Sequence, residues 1–261
     1  MNRLAACLVF AASLSLSVPV GAQSDLAPSE RKSSYEMMGA QSRSMQDDDM
    51  ANPAMLSVLD GEALWRKPAG EDKKSCADCH GDARQSMRGM AARYPSYDVA
   101  AQRVVDLEER INLCQAREQK SEAFGRETKD MLALSAYLAL QSRGMPIAPS
   151  QNAALERSIE RGRAAYFQRQ GQLNLSCANC HDDNWSRKLG GATIPQGHPT
   201  GYPIYRLEWN GVGSLQRRLR NCLTGMRAQV HGLGAAELTD LEAYLMWRAR
   251  GMIMDAPGVR P

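Results

Sequence analysis

Beyond its first twenty residues the chain has no apolar run long enough to span a bilayer, so no membrane-spanning helix is expected in the mature protein. An excess of charge of one sign is also missing: 32 Lys and Arg face 29 Asp and Glu, a formal net charge of +3. That balance argues against nucleic acid or a strongly anionic surface as the partner. Histidine is scarce, with 4 in the sequence, which leaves little imidazole for ligand or proton-transfer duty. The one apolar run stands at the start. Arg3, the stretch Leu4 to Val20 and the small residues Val20-Gly21-Ala22 have the layout of an export signal, so residues 1–22 are expected to be a cleaved signal peptide. Residues 23–50 are rich in Ser, Gln and charge and poor in apolar residues, and are expected to be extended or flexible.

Of the 7 cysteines, Cys7 would leave with the signal and six would remain. Four of these form Cys76-Ala77-Asp78-Cys79-His80 and Cys177-Ala178-Asn179-Cys180-His181. In a Cys-x-x-Cys-His motif two thiols bond the vinyl groups of a haem and the histidine ligates its iron. The spacing therefore predicts two covalent c-type haems, attached through Cys76, Cys79, Cys177 and Cys180, with His80 and His181 on the irons. A redox dithiol or half of a zinc site is the minor alternative, because two such motifs by chance would be a rare coincidence in this composition.

The two motifs sit in a repeat. Gly61-Glu-Ala-Leu-Trp65 precedes the first motif at the spacing by which Gly162-Arg-Ala-Ala-Tyr166 precedes the second. Tyr94-Pro95-Ser96-Tyr97 leads to Cys114 as Tyr202-Pro203-Ile204-Tyr205 leads to Cys222. Apolar helices are expected over Leu132 to Arg143 and Leu241 to Arg250, with Gly144 and Gly251 as C-terminal caps. The pattern predicts an all-α protein of two tandem, class I-like cytochrome c domains, 51–148 and 149–261, joined at the break near Pro146 to Ser150 and packed about an approximate twofold.

Cys114 and Cys222 remain. Val104, Leu107, Ile111 and Cys114 fall on one helical stripe, and Leu215, Leu219 and Cys222 repeat its last three positions, so both thiols should face a core. Each is a candidate sixth iron ligand, opposite His80 and His181 respectively. The residues alone leave other readings open: a small buried hydrophobe, a Cys114–Cys222 disulfide, or a methionine ligand from Met131, Met145, Met226, Met246, Met252 or Met254. The remaining histidines, His198 and His231, both lie in the second half, which disfavours a bis-histidine first haem. Arg217, Arg218 and Arg220 cluster before Cys222, and in a helix Arg218 at i−4 shares its face. A small dianion beside an oxidisable sulfur would need such cations; a solvated helix face or a dock for an acidic partner is the bland reading.

The stretch from Ile194-Pro-Gln-Gly-His198 through Tyr202-Pro-Ile-Tyr-Arg-Leu-Glu-Trp209, followed by Ser214-Leu-Gln-Arg-Arg-Leu-Arg-Asn-Cys222, resembles SoxA, the dihaem subunit of the SoxAX L-cysteine S-thiosulfotransferase. The similarity extends to both haem motifs, the helices before them, Cys114 and Glu242-Ala-Tyr-Leu-Met-Trp-Arg248. The resemblance implies that Cys114 is the distal thiolate of the first haem and Cys222 the catalytic distal cysteine of the second, often a persulfide, with Arg218 and Arg248 lining that site and Arg250 competing with Arg248. It implies a periplasmic enzyme that joins thiosulfate oxidatively to a cysteine of a SoxY-type carrier (SoxYZ) and passes electrons through haem to a downstream cytochrome. A monohaem SoxX-like subunit would be its partner. Leu223-Thr-Gly-Met226 departs from the family beside the proposed site. A thiosulfate dehydrogenase forming tetrathionate and a plain dihaem electron carrier are the competing functions.

Overall fold

A computed structural model describes residues 26–261; the expected signal peptide and Cys7 lie outside the described residues. The helices of the first half are α1 (Ala40–Asp47), α2 (Ala54–Arg66), α3 (Cys76–His80) and α4 (Ala83–Ser86). A hairpin of β1 (Ser96–Asp98) and β2 (Arg103–Val105) then leads into α5 (Leu107–Cys114) and α6 (Lys129–Leu140). The second half repeats the plan with α7 (Ala153–Phe167), α8 (Cys177–His181), the hairpin of β3 (Lys188–Leu189) and β4 (Ala192–Thr193), that of β5 (Ile204–Arg206) and β6 (Gly211–Gly213), then α9 (Leu215–Gly225) and α10 (Ala236–Arg248), before β7 (Gly258–Arg260). The fold is helical at its core, as expected, with small sheets added. Their strands of two or three residues are too short to carry a legible alternation, and β7 pairs parallel to β5 from the far end of the chain.

In each half the helix before the haem motif crosses the final helix, α2 on α6 and α7 on α10. Gly61 and Gly162 explain the closeness of the crossings: a Cβ on Gly61 would collide with the Ala133 carbonyl oxygen, and one on Gly162 with that of Asp240. The repeated glycines are thus contact points between backbones. Trp65, Met131, Leu134 and Tyr137 fill the core beside the first crossing, and Leu155, Tyr166, Leu238 and Tyr244 that beside the second. Side-chain caps start the later helices, with Asp106, Thr128, Asn152 and Ser214 accepting from first-turn amides. Gly144 and Gly251 take positive φ (78° and 82°), but they sit in turns beyond the helix ends, whose caps are Gln141 and Ala249.

Those turns join the halves. Gly144 N donates to Met254 O (2.9 Å), Ile147 N to Met252 O (2.8 Å), Gly251 N to Ile147 O (2.8 Å) and Met254 N to Met145 O (2.9 Å), so equivalent segments pair with one another. The break near Pro146 is therefore part of the contact between halves rather than a free tether. Ala139, Ile147, Met246, Ala249 and Met254 cluster beside it. A second contact is polar: Arg126 bonds Asp106 at 2.8 and 3.1 Å, and the buried Gln216 Nε2 bonds Asp106 (2.8 Å) and Glu242 (3.4 Å).

Residues 26–50 are folded, contrary to the expectation of an extended or flexible segment. Gln46 Oε1 accepts from Val259 N (2.9 Å) and from Arg260, and Gln46 Nε2 donates to Asp255 (2.9 Å). Lys32 N donates to Gln196 Oε1 (2.7 Å), Gln196 Nε2 to Glu30 O (3.1 Å) and His198 Nδ1 to Lys32 O (2.9 Å). The segment is ordered by hydrogen bonds to the second half, an interaction that composition cannot report.

Candidate active site

Each Cys-x-x-Cys-His motif is a single capped turn. Ser75 Oγ accepts from Asp78 N (3.1 Å) while Ser75 N donates to Asp78 Oδ2 (2.7 Å). Ser176 and Asn179 repeat the arrangement at 3.3 and 3.0 Å. These reciprocal bonds hold the turn that presents two thiols and an imidazole together. Behind the first motif the Trp65 ring lies 5.8 Å from that of His80 and Trp65 Nε1 donates to Gly81 O (3.0 Å). Behind the second, Tyr166 OH donates to Asp182 (2.9 Å).

His181 Nδ1 lies 2.7 Å from Pro195 O. A carbonyl only accepts, so Nδ1 carries a proton and the ring is held in place, with Nε2 the nitrogen available to a metal. The next loop residues pass close by: Gly197 has φ +77°, and a Cβ there would lie 3.3 Å from the imidazole.

Cys114 ends α5 and lies within electrostatic reach of Cys76 and Cys79; Cys222, in α9, stands likewise to Cys177 and Cys180 and is a hydrogen-bond partner of His181. All six described cysteines are free, and the Cys114–Cys222 disulfide is not formed. The candidate methionines Met131, Met226, Met246 and Met254 are buried in apolar clusters. The two odd thiols titrate in opposite directions. Burial raises the Cys114 pKa, with Arg110 opposing. Burial also pushes Cys222 up, but the His181 hydrogen bond and the charges of Arg218 and Arg206 overcome it, and its pKa is lowered.

Arg218 is on the face of Cys222, as the i−4 spacing predicts, and forms no ion pair among the described residues. Arg217 is turned away: its guanidinium lies 4.3 Å from the Trp209 ring centroid and 3.7 Å from Glu127. Arg248, rather than Arg250, is the inward-facing arginine of the last helix. It is 3% exposed, bonds Asp182 at 2.5 Å and lies 5.1 Å over Tyr166, whereas Arg250 stacks on Trp247 at 3.9 Å. Sequence reading missed Arg206 and Tyr202: Tyr202 interacts electrostatically with Cys222 and Arg218, and Arg206 with Arg218 and with Cys222. Burial and Arg218 together lower the Arg206 pKa. It also missed Arg110 and Asp98, which the spacing that carries Cys114 onto Cys222 would have found.

These residues fit covalently attached haem: paired thiols, an imidazole and a further sulfur in each half. Among the described residues no three His, Cys, Asp or Glu are grouped to hold a bare ion, so the thiol pairs are not arranged as a zinc site. Fold and site together define a duplicated c-type cytochrome with a thiol among positive charges. A sequence model of the SoxA/TsdA cytochrome c domain matches residues 60–147 and again 161–254. The L-cysteine S-thiosulfotransferase subunit SoxA of Pseudaminobacter salicylatoxidans is 35% identical over 222 residues, 85% of this chain and 78% of that protein. That of Rhodovulum sulfidophilum is 32% identical over 231 residues, 88% of this chain and 80% of its own length. The crystal structure of SoxXA from P. pantotrophus superposes with a TM-score of 0.85 at 31% identity, covering 88% of this chain and 87% of that one. The chain belongs to the SoxA family.

Proposed function

We propose that this chain is the sulfur-bearing subunit of a periplasmic L-cysteine S-thiosulfotransferase, with Cys222 as the residue that carries the sulfur. The observation that supports it best is the placing of the Cys222 thiol against His181, under Arg218 and Arg206. Two haems, one in each of the domains 51–148 and 149–261, would be attached through Cys76 and Cys79 and through Cys177 and Cys180. His80 and Cys114, and His181 and Cys222, would be the iron ligands. When bound, the haem supplies an electron sink beside the sulfur.

The chain's own groups set up the rest. Arg218 faces the thiol and offers planar paired donors to the sulfonate end of thiosulfate. Those charges favour the Cys222 thiolate, the form that forms S–S bonds. Thiosulfate's terminal sulfur joins Cys222 sulfur with loss of two electrons. A carrier cysteine thiolate then takes the sulfane–sulfonate unit and releases Cys222 thiolate. The net change consumes one thiol and one thiosulfate and yields one S-thiosulfonate, one proton and two electrons, which leave to a cytochrome acceptor. Arg248 is assigned to orient Asp182 and Tyr166 behind the motif. A SoxX-like monohaem subunit is the expected partner, since the similar structure from P. pantotrophus is that of SoxXA. A SoxYZ-type carrier is the expected co-substrate.

The test is to incubate the haem-loaded protein and its monohaem partner with thiosulfate, an oxidised acceptor and a carrier, and to weigh the intact carrier. A thiosulfonate gain that disappears in Cys222→Ala supports the assignment. Tetrathionate with an unmodified carrier would make it a thiosulfate dehydrogenase, and no thiosulfate-dependent change would leave an electron carrier.

A further inference from the structure

The two halves carry the same four-residue constellation around their odd cysteine, with one difference. In the first half it is Tyr94, Asp98, Arg110 and Cys114; in the second, Tyr202, Arg206, Arg218 and Cys222. The correspondence is structural as well as sequential. Tyr94 and Tyr202 each precede a cis proline. Asp98 pairs with Arg103 in the first hairpin and Arg206 with Gly211 in the second, each the last of three residue pairs in an identical register. Arg110 and Arg218 both stand at i−4 to the thiol in the helices that follow.

The charges differ. In the first half Asp98, its side chain 8% exposed, accepts from Arg110 at 3.0 Å and from Arg117 at 3.2 Å, so the arginine beside Cys114 is already neutralised by a buried carboxylate. In the second half that register position holds Arg206, 12% exposed, whose Nε is buried without a partner among the described residues. Its only ion pair there is with Glu208, a half-exposed carboxylate 3.0 Å away, and such surface pairs contribute little. Arg218 has no ion pair among the described residues. Two guanidiniums thus converge where the other half has a closed ion pair, and a buried unpartnered donor beside an uncompensated cation is costly until an anion arrives.

We infer that the residue at this hairpin position decides which cysteine receives substrate: Asp98 closes the Cys114 site to anions, and Arg206 makes the Cys222 site a binding site for a sulfur-oxoanion such as thiosulfate. Arg206 is then a specificity-determining residue that holds the sulfonate end together with Arg218, and the inference rests on Cys222 being the sulfur-bearing residue.

The test uses the haem-loaded complex and two probes: thiosulfate, and sulfate as an unreactive dianion measured by calorimetric titration. Arg206→Gln should weaken sulfate binding and raise the half-saturating thiosulfate concentration by roughly 10- to 100-fold with a smaller change in kcat, the size expected for one charged hydrogen-bonding group. Arg206→Lys should recover part of the loss, because charge persists without the paired donors. Asp98→Asn should add a second, weaker sulfate site. Unchanged sulfate affinity in Arg206→Gln would overturn the inference. If that variant fails to take up haem, Arg206→Lys and Asp98→Asn decide instead: wild-type affinity in the first with no added site in the second rejects it. Cys222→Ala separates the two readings: continued carrier modification in that variant sinks the assignment of Cys222, whereas its loss with sulfate binding retained leaves that assignment standing whatever Arg206 shows.

Discussion

The imidazole of His181 is held by the carbonyl of Pro195, Nδ1 to O at 2.7 Å, and the residue after that proline ties the same loop to the start of the folded chain. Gln196, 1% exposed, accepts from Lys32 N and donates to Glu30 O. The segment 28–36 is thereby a brace for the loop that holds the His181 ring.

Gln196→Ala removes the two bonds that the buried Gln196 contributes to the brace. It should lower stability by about 1–3 kcal/mol, the net worth of two hydrogen bonds. A shift in the second haem's reduction potential with the first unchanged, followed by spectroelectrochemical titration, is the specific signature. Equal movement of both haems would indicate a general loosening.

Cys222→Met should keep a low-spin second haem, since thioether sulfur is an iron ligand, yet abolish carrier modification, since it forms no disulfide-like bond. Visible spectra and carrier mass read the two effects separately. Retained turnover would remove Cys222 from the chemistry. Arg218→Ala should raise the thiosulfate requirement more than it lowers haem content, and equal losses would assign it to structure.

Gly162→Ala places a methyl group on the Asp240 carbonyl at the α7–α10 crossing. The helices must separate, which should cost about 1–3 kcal/mol or more. Lowered haem incorporation and a lower thermal midpoint are expected, with Gly61→Ala behaving alike in the first half. A midpoint unchanged in both would show that the crossings have room to give.

The carboxylates between the halves should make stability depend on pH. Burial, together with the Asp106 charge, pushes Glu108 from its ordinary 4.5 up to about 8, and burial raises Glu242 well above its ordinary value with Asp106 and Glu108 adding to it. Groups raised in the folded state stabilise it fully below the unfolded value and cease to as pH climbs through the folded one. The contribution of Glu108 should therefore fall between about pH 4.5 and 8. Glu108→Gln should flatten the thermal midpoint across that window, and an unaltered slope would exclude Glu108 as the cause.

Much of the site was legible because it is local or repeated. Cys76 to His80 and Cys177 to His181 each gather two thiols and an imidazole on one capped turn within five residues, and the i−4 placing of Arg218 follows from helical geometry once α9 is helical. The brace over residues 26–50 was not legible. Its bonds join Gln46 to Arg260 and Lys32 to Gln196, pairs far apart in sequence and polar at both ends, so hydrophobic patterning carries no trace of them. Nor was Arg248's pairing with Asp182, because nothing in the order of residues says which of Arg248 and Arg250 turns inward at the end of α10.

The cytochrome c class, the duplication and the helical fold all follow from the order of residues, because each is carried by short spacings, periodicity or repetition. How the two matching halves differ was settled by packing. Only folding brings the first half's Asp98 onto Arg110 and the second half's Arg206 toward Arg218 and Cys222, through the hairpins that precede α5 and α9. The reason is physical: the sign of the field at a thiol depends on distances through space, and two cysteines at matching places in a repeat acquire different surroundings once the chain around them is packed.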